Sequence, residues 1–325
     1  MHMPQTFVAW TLSGARRCAI FPMIACLVLA ASCEGAPGVG MTTLKARSLQ
    51  ELGAQLLNNT ANLDTFRLRG PFATALKKDF EIFLTPSQRI KADLYLSAPP
   101  DKAPLVILLH GYGNSKDDHA YQALHLATWG MHSLSLTLPN KGPWLGHGAT
   151  LARIVALIRD QPGIIDSRID PRKIILAGHS FGASAVSVAL AEGAEVAGGI
   201  LLDPAGVGRN ISTYLRKIRV PVISIASDER VTLTRNRGYF YQYVPRDIVA
   251  VSIVNASHED AQFPLQAATP LLDSDSSPEE ELQITYVSGL TSAALSLALT
   301  GKIDYAWEIF GTAVRNSRMF GEMRK

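Results

Sequence analysis

From about residue 79 onward, apolar and polar positions switch repeatedly between a strand-like and a helix-like period. DFEIFLT (79–85) and RIKADLYLS (89–97) alternate apolar with polar, and Pro86-Ser87-Gln88 between them predicts an antiparallel hairpin at a sheet edge. LVILLH (105–110), HSLSLTL (132–138), KIILAG (173–178), GGILLD (198–203), VPVISIA (220–226) and IVAVSIV (248–254) are short, largely apolar runs, the mark of strands covered on both faces. Segments of helical length separate most of them, among them ATLARIVALIRD (149–160) and ASAVSVALAEG (183–193). Residues 43–75 predict helical or irregular packing ahead of the sheet, 278–315 closing helices, and RNSRMFGEMRK (315–325) a basic, frayed end. Strand alternating with helix predicts an α/β architecture, a mostly parallel sheet of about eight strands flanked by helices.

The first residues follow a different pattern. Residues 1–17 carry Arg16 and Arg17 and no acid, and CAIFPMIACLVLAAS follows as an apolar run too short for a comfortable membrane span. This predicts an export signal over 1–32. Leu29-Ala30-Ala31-Ser32-Cys33 resembles the lipobox of bacterial lipoproteins, which implies lipidation of Cys33 and a membrane anchor at the cell envelope; the alternative is ordinary cleavage near Ala36. Residues 33–78 then read as an N-terminal extension and 79–325 as a single domain.

Composition narrows the partners. The chain of 325 residues is 47% apolar and 18% charged, with a formal net charge of +3. Removal of residues 1–32 takes away Arg16 and Arg17 and leaves basic and acidic side chains nearly balanced, so no nucleic-acid partner is implied. RNRGYFYQYVPR (235–246) reads as a helix or wall with local aromatics. All three cysteines, Cys18, Cys26 and Cys33, lie near the N-terminus, which leaves the domain without cysteine chemistry. No cofactor loop of the G-x-G-x-x-G type and no metal-ligand spacing appear, so neither cofactor nor metal is expected.

In an open parallel sheet, ligands bind beyond the carboxyl ends of the strands. Four such ends carry chemistry. After KIILAG comes Gly178-His179-Ser180-Phe181-Gly182, a G-x-S-x-G pattern that suits a nucleophilic serine at a sharp strand-to-helix turn. After LVILLH comes His110-Gly111-Tyr112-Gly113, whose Tyr112 N–H could pair with the Phe181 N–H to bind an oxyanion. Beyond Ser180 the chain has a single histidine, His258, after the last buried strand, and a serine hydroxyl needs such a base. Asp203 and Asp228 each follow a strand and are both candidate acids; Glu192, Glu195 and Asp247 lie at the wrong places, and Glu229 is a poor third.

GHSFG, the HGYG loop and SHED together resemble the α/β-hydrolase superfamily over roughly residues 79–265, and Ser, Asp, His is that fold's order. GHSFG with LLDPAG and ASHED resembles the platelet-activating-factor acetylhydrolase and chlorophyllase-like branch, which implies Asp203 as the acid. HGYG, His258 and Asp228 also resemble cutinase-type polyester hydrolases, whose acid lies one strand later. Gly182-Ala183 departs from the Gly-Gly of both branches but keeps a small residue.

The resemblance implies a serine hydrolase cleaving carboxylic esters through an acyl-enzyme. Too few residues separate Asp203 from Val220 for a large lid domain, so an open site is expected, able to admit lipidic or polymeric esters. An amidase or peptidase using the same triad, and a non-catalytic envelope lipoprotein of hydrolase fold, are the competing readings.

Overall fold

Strands covered on both faces are mostly apolar and the outer hairpin alternates, which lays out most of the sheet; the strand His132–Thr137 is the exception, since its Ser133 and Ser135 are buried inside it. The computed structural model describes residues 46–58, 61–99, 101–208, 210–228, 237–265 and 277–325. The expected signal segment, Cys33 and Glu229 lie outside the described residues.

β1 (Thr74–Thr85) and β2 (Gln88–Ser97) form the expected hairpin, closed at Thr85 opposite Gln88. β3 (Ala103–Leu109), β4 (His132–Thr137), β5 (Ile169–His179), β6 (Gly198–Leu202), β7 (Val222–Ala226) and β8 (Ile248–Ile253) follow, and β9 (Met319–Arg324) comes last. Among the described residues they make one sheet in the order β1-β2-β4-β3-β5-β6-β7-β8-β9. The run from β4 through β8 is parallel, and β2 and β9 join it antiparallel.

The ninth strand corrects the expectation of a frayed basic end. MFGEMR has no clear alternation, but its backbone pairs with β8 from Val249 opposite Arg324 to Ile253 opposite Met319. Its charges are anchored too: the Arg324 guanidinium lies over the Trp307 ring at 5.4 Å and pairs with Asp304 at 2.5 Å, and Lys325 Nζ donates to the Gln242 carbonyl. Backbone pairing to a waiting edge needs no side-chain period, so the pattern does not reveal it.

Two helical layers cover the sheet. α1 (Leu49–Asn58), α2 (Ala120–Thr128), α7 (Pro278–Thr300) and α8 (Asp304–Arg315) pack on one face with Val106, Leu108, Ile175, Ala177, Ile223 and Ile225. α3 (Trp144–Asp160), α4 (Phe181–Ala191), α5 (Ile211–Leu215) and α6 (Arg237–Tyr243) cover the other, against Leu105, Ile107, Leu109, Ile174 and Leu176. Leu52, Leu56 and Phe66 are buried in the first of these layers, so the segment read as an extension contributes to the domain's core, and β1 begins at Thr74 rather than 79.

α7 is the one described helix long and apolar enough to cross a membrane, yet 83% of its apolar window is buried inside the domain. Its ends explain where it starts and stops. Ser277 and Glu280 form a capping box with Pro278 at the first turn, and Gly301 closes the helix at φ 65°. Its internal hydroxyls bond back to the helix, as Ser288 does to the Ile284 carbonyl at 2.8 Å.

Candidate active site

Ser180 stands between the end of β5 and the start of α4, with φ 55° and ψ −124°. A positive φ at a non-glycine residue costs on the order of 1–3 kcal/mol and persists only where the surroundings impose it. Here they do. A Cβ on Gly182 would lie 2.4 Å from the His110 carbonyl oxygen, and one on Gly178 would lie 2.6 Å from Gly182 backbone atoms. The two glycines of G-H-S-F-G are therefore demanded by backbone crowding between β5, α4 and the loop after β3.

His258 arrives from the loop after β8. The Ser180 hydroxyl donates to its Nε2 at 2.9 Å, and its Nδ1–H donates to Asp203 Oδ2. Because a carboxylate only accepts, the Nδ1 proton and the accepting lone pair on Nε2 follow from chemistry. Asp203 follows β6 at φ 36°, is buried, and takes the Ser227 N–H on its other oxygen at 2.8 Å. A desolvated, doubly hydrogen-bonded carboxylate holds the imidazole in one tautomer and one orientation.

Of the two acids the sequence left open, Asp203 is the one bonded to His258. Asp228 instead accepts the Asn255 N–H at 2.9 Å and gives its own N–H to the Ala256 carbonyl at 3.2 Å. Asn255 is at φ 62°, so Asp228 braces the turn that carries His258 out of β8.

The loop after β3 lies directly against the serine, since a Cβ on Gly111 would come within 2.9 Å of Ser180 Cβ. The Tyr112 and Phe181 rings meet edge to face at 6.4 Å. Neither residue's N–H donates to a backbone carbonyl among the described residues, and Phe181 is the first residue of α4, where helix amides lack internal acceptors. His110 is buried; the Leu138 N–H donates to its Nε2 at 3.1 Å and its Nδ1–H donates to the Gly111 carbonyl at 2.7 Å. Burial holds its pKa below the ordinary histidine value, so it shapes the loop as a neutral ring.

Sequence reasoning missed the supports of the loop that carries His258. Gln122 donates to the Ala261 carbonyl at 3.0 Å and bonds His119; Asn114 donates to Gln262, which reaches Glu259 at 2.6 Å. His179 donates to the His258 carbonyl at 3.1 Å. Each of these contacts joins residues distant in the chain or shaped by one local turn, and none has a spacing to read. Among the described residues no group of His, Cys, Asp and Glu is arranged to hold a metal ion.

A family model described as the alpha/beta hydrolase family matches residues 106–299. The chain belongs to that family. No curated protein matches it. In this alpha/beta hydrolase the matched span runs from β3 through α7, and so includes Ser180, Asp203 and His258 with the loops that hold them. What the arrangement can do is pass the Ser180 proton to His258 while Asp203 stabilises the imidazolium that forms, which is the chemistry of a nucleophilic hydrolase.

Proposed function

We propose that this alpha/beta hydrolase cleaves carboxylic esters, with Ser180 as nucleophile, His258 as general base and then acid, and Asp203 as the residue that orients His258. The reading rests on one observation, the unbroken chain of hydrogen bonds from Ser180 Oγ through His258 to Asp203. Ser180 Oγ attacks the ester carbonyl as its proton moves to His258 Nε2. The carbonyl oxygen becomes an oxyanion facing the Tyr112 and Phe181 amides, and the alcohol leaves with the proton from His258. Water then enters, gives its proton to His258, and releases the acid as Ser180 takes the proton back.

The triad on the acid after β6 favours the platelet-activating-factor acetylhydrolase and chlorophyllase-like resemblance over the cutinase-type one. The substrate is an ester reaching a site with too few residues between Asp203 and Val220 for a large lid there, with lipidic and polymeric esters as the first candidates. Export and a lipid anchor at Cys33 complete the proposal and have their own test, loss of palmitate labelling in Cys33→Ser.

Fluorophosphonate labelling of the wild type and of Ser180→Ala, with a chain-length series of nitrophenyl esters, tests the reading. The wild type is expected to label and turn over, and Ser180→Ala to do neither. A wild type that neither labels nor hydrolyses any ester sinks it, and cleavage of anilides with no ester turnover makes it an amidase.

A further inference from the structure

His179, the residue just before the nucleophile, is a buried titratable group that the proton path above does not use. It ends β5 at 1% exposure. Its Nε2–H donates to the His258 backbone carbonyl at 3.1 Å, across 79 residues of chain. Its ring also lies against the His258 ring, with centroids 4.6 Å apart and planes tilted by 40°. One side chain thus grips the catalytic histidine twice, by its backbone and by its imidazole.

The proton's place follows from the partner. A carbonyl only accepts, so Nε2 carries the hydrogen, and a neutral ring then leaves a lone pair on Nδ1. Burial drives the His179 pKa well below the ordinary histidine value, and the rings of His258, His119 and His110 push the same way. His119, edge-on at 6.0 Å, is itself pushed down to about 4, chiefly by burial. It bonds Gln122, whose amide holds the Ala261 carbonyl, so a second strut supports the same loop a turn further on. When His258 becomes an imidazolium during turnover, its nearest ring neighbour stays uncharged and adds no repulsion.

We infer that His179 is a positioning residue for His258: its Nε2–H fixes the backbone of the base and its ring backs the imidazole, keeping Nε2 of His258 on the Ser180 hydroxyl. The inference rests on the triad reading above. A misplaced base loses rate without losing substrate affinity, and a shift of about 1 Å can cost on the order of 100-fold.

Three measurements test it. In ¹⁵N-histidine spectra of the wild type, His179 is expected to keep its proton on Nε2 and stay neutral across the pH range of the ester assay. His179→Gln, which keeps an amide donor at similar reach, is expected to hold kcat within a few-fold. His179→Phe, which keeps the flat ring and loses the donor, is expected to lose about 100-fold in kcat with KM little changed, and to broaden the downfield resonance of the His258 Nδ1–H. A His179→Phe enzyme with wild-type kcat, a His179→Gln enzyme as impaired as His179→Phe, or a His179 proton on Nδ1 overturns the inference. Should His179→Phe not fold, the wild-type tautomer and the His179→Gln kcat decide. Failure of the triad reading is told apart by the wild type itself, which then does not label at Ser180.

Discussion

Two polar clusters, each built round a buried carboxylate, sit at different places on the same sheet, and their hydrogen bonds end differently. Near the β1-β2-β4 edge, Lys116 Nζ lies 2.9 Å from Asp93, 3.0 Å from Asp79 and 3.1 Å from Asp117. Every ammonium hydrogen has a carboxylate, so the cluster is saturated and holds its charges in place. The cluster at the carboxyl ends of β5, β6 and β8 also buries a carboxylate, but its chain of hydrogen bonds ends on a serine hydroxyl at a strained turn. A saturated ion cluster stabilises a fold; a proton path with an open end can turn over. Burial and charge alone do not separate the two, and where the last donor points does.

The sharpest way to break the comparison is to exchange the acids. Asp203→Asn leaves the shape of the Ser180–His258–Asp203 chain and destroys its tautomer control, so under the proposed function kcat is expected to fall by about 10⁴-fold. Asp228→Asn keeps an oxygen for the Asn255 N–H and is expected to stay within a few-fold of wild type in the same ester assay. The reverse result would move the acid to the later strand.

The saturated cluster should fail in stability and not in rate. Lys116→Met strands Asp93, which is 1% exposed, as an uncompensated buried charge and is expected to cost about 3–5 kcal/mol in urea unfolding. The kcat per labelled Ser180 should be unchanged. A large loss of kcat would mean the two clusters communicate.

The pH dependence sharpens the same contrast. Burial alone would lower the Lys116 pKa, but the hydrogen bonds it donates to Asp93, Asp79 and Asp117 outweigh it and raise the ammonium above the ordinary lysine value. A raised pKa means the contribution is fully present below the unfolded lysine value of 10.5 and is lost as pH climbs through the folded one. Unfolding free energy measured from neutral to strongly alkaline pH should therefore fall in the wild type, and fall less in Lys116→Met. Equal slopes in the two proteins would remove Lys116 from the account.

The smallest effect belongs to the loop brace. Asp228→Ala leaves the Asn255 N–H to water at an exposed turn, expected to cost no more than about 0.5–1 kcal/mol of stability and a several-fold drop in kcat. Thermal melts alongside ester kinetics read both.

Much of this was legible in the residues. The continuous apolar runs of β3, β5 and β6 marked strands covered on both faces, and the residues after them marked the site. Ser180 and His258 could be named because one has glycines around it and the other is the sole downstream histidine. The acid could not, since Asp203 and Asp228 both follow strands and differ only in which loop turns toward His258. The C-terminal strand was hidden because its partner is β8's backbone, and the His179 contact with the His258 carbonyl was hidden because it spans 79 residues.

The sequence by itself determined the α/β order, the two faces of the sheet and the strand ends where chemistry gathers, because period and glycine placement are local properties of the chain. Only the tertiary structure decided which carboxylate meets the imidazole, which histidine reaches the Ser180 hydroxyl and which the backbone behind it, and which charged cluster is closed. Apart from the Lys116–Asp117 contact between neighbours, those outcomes depend on distances between residues 23 to 79 positions apart, set by the packing of whole strands and helices.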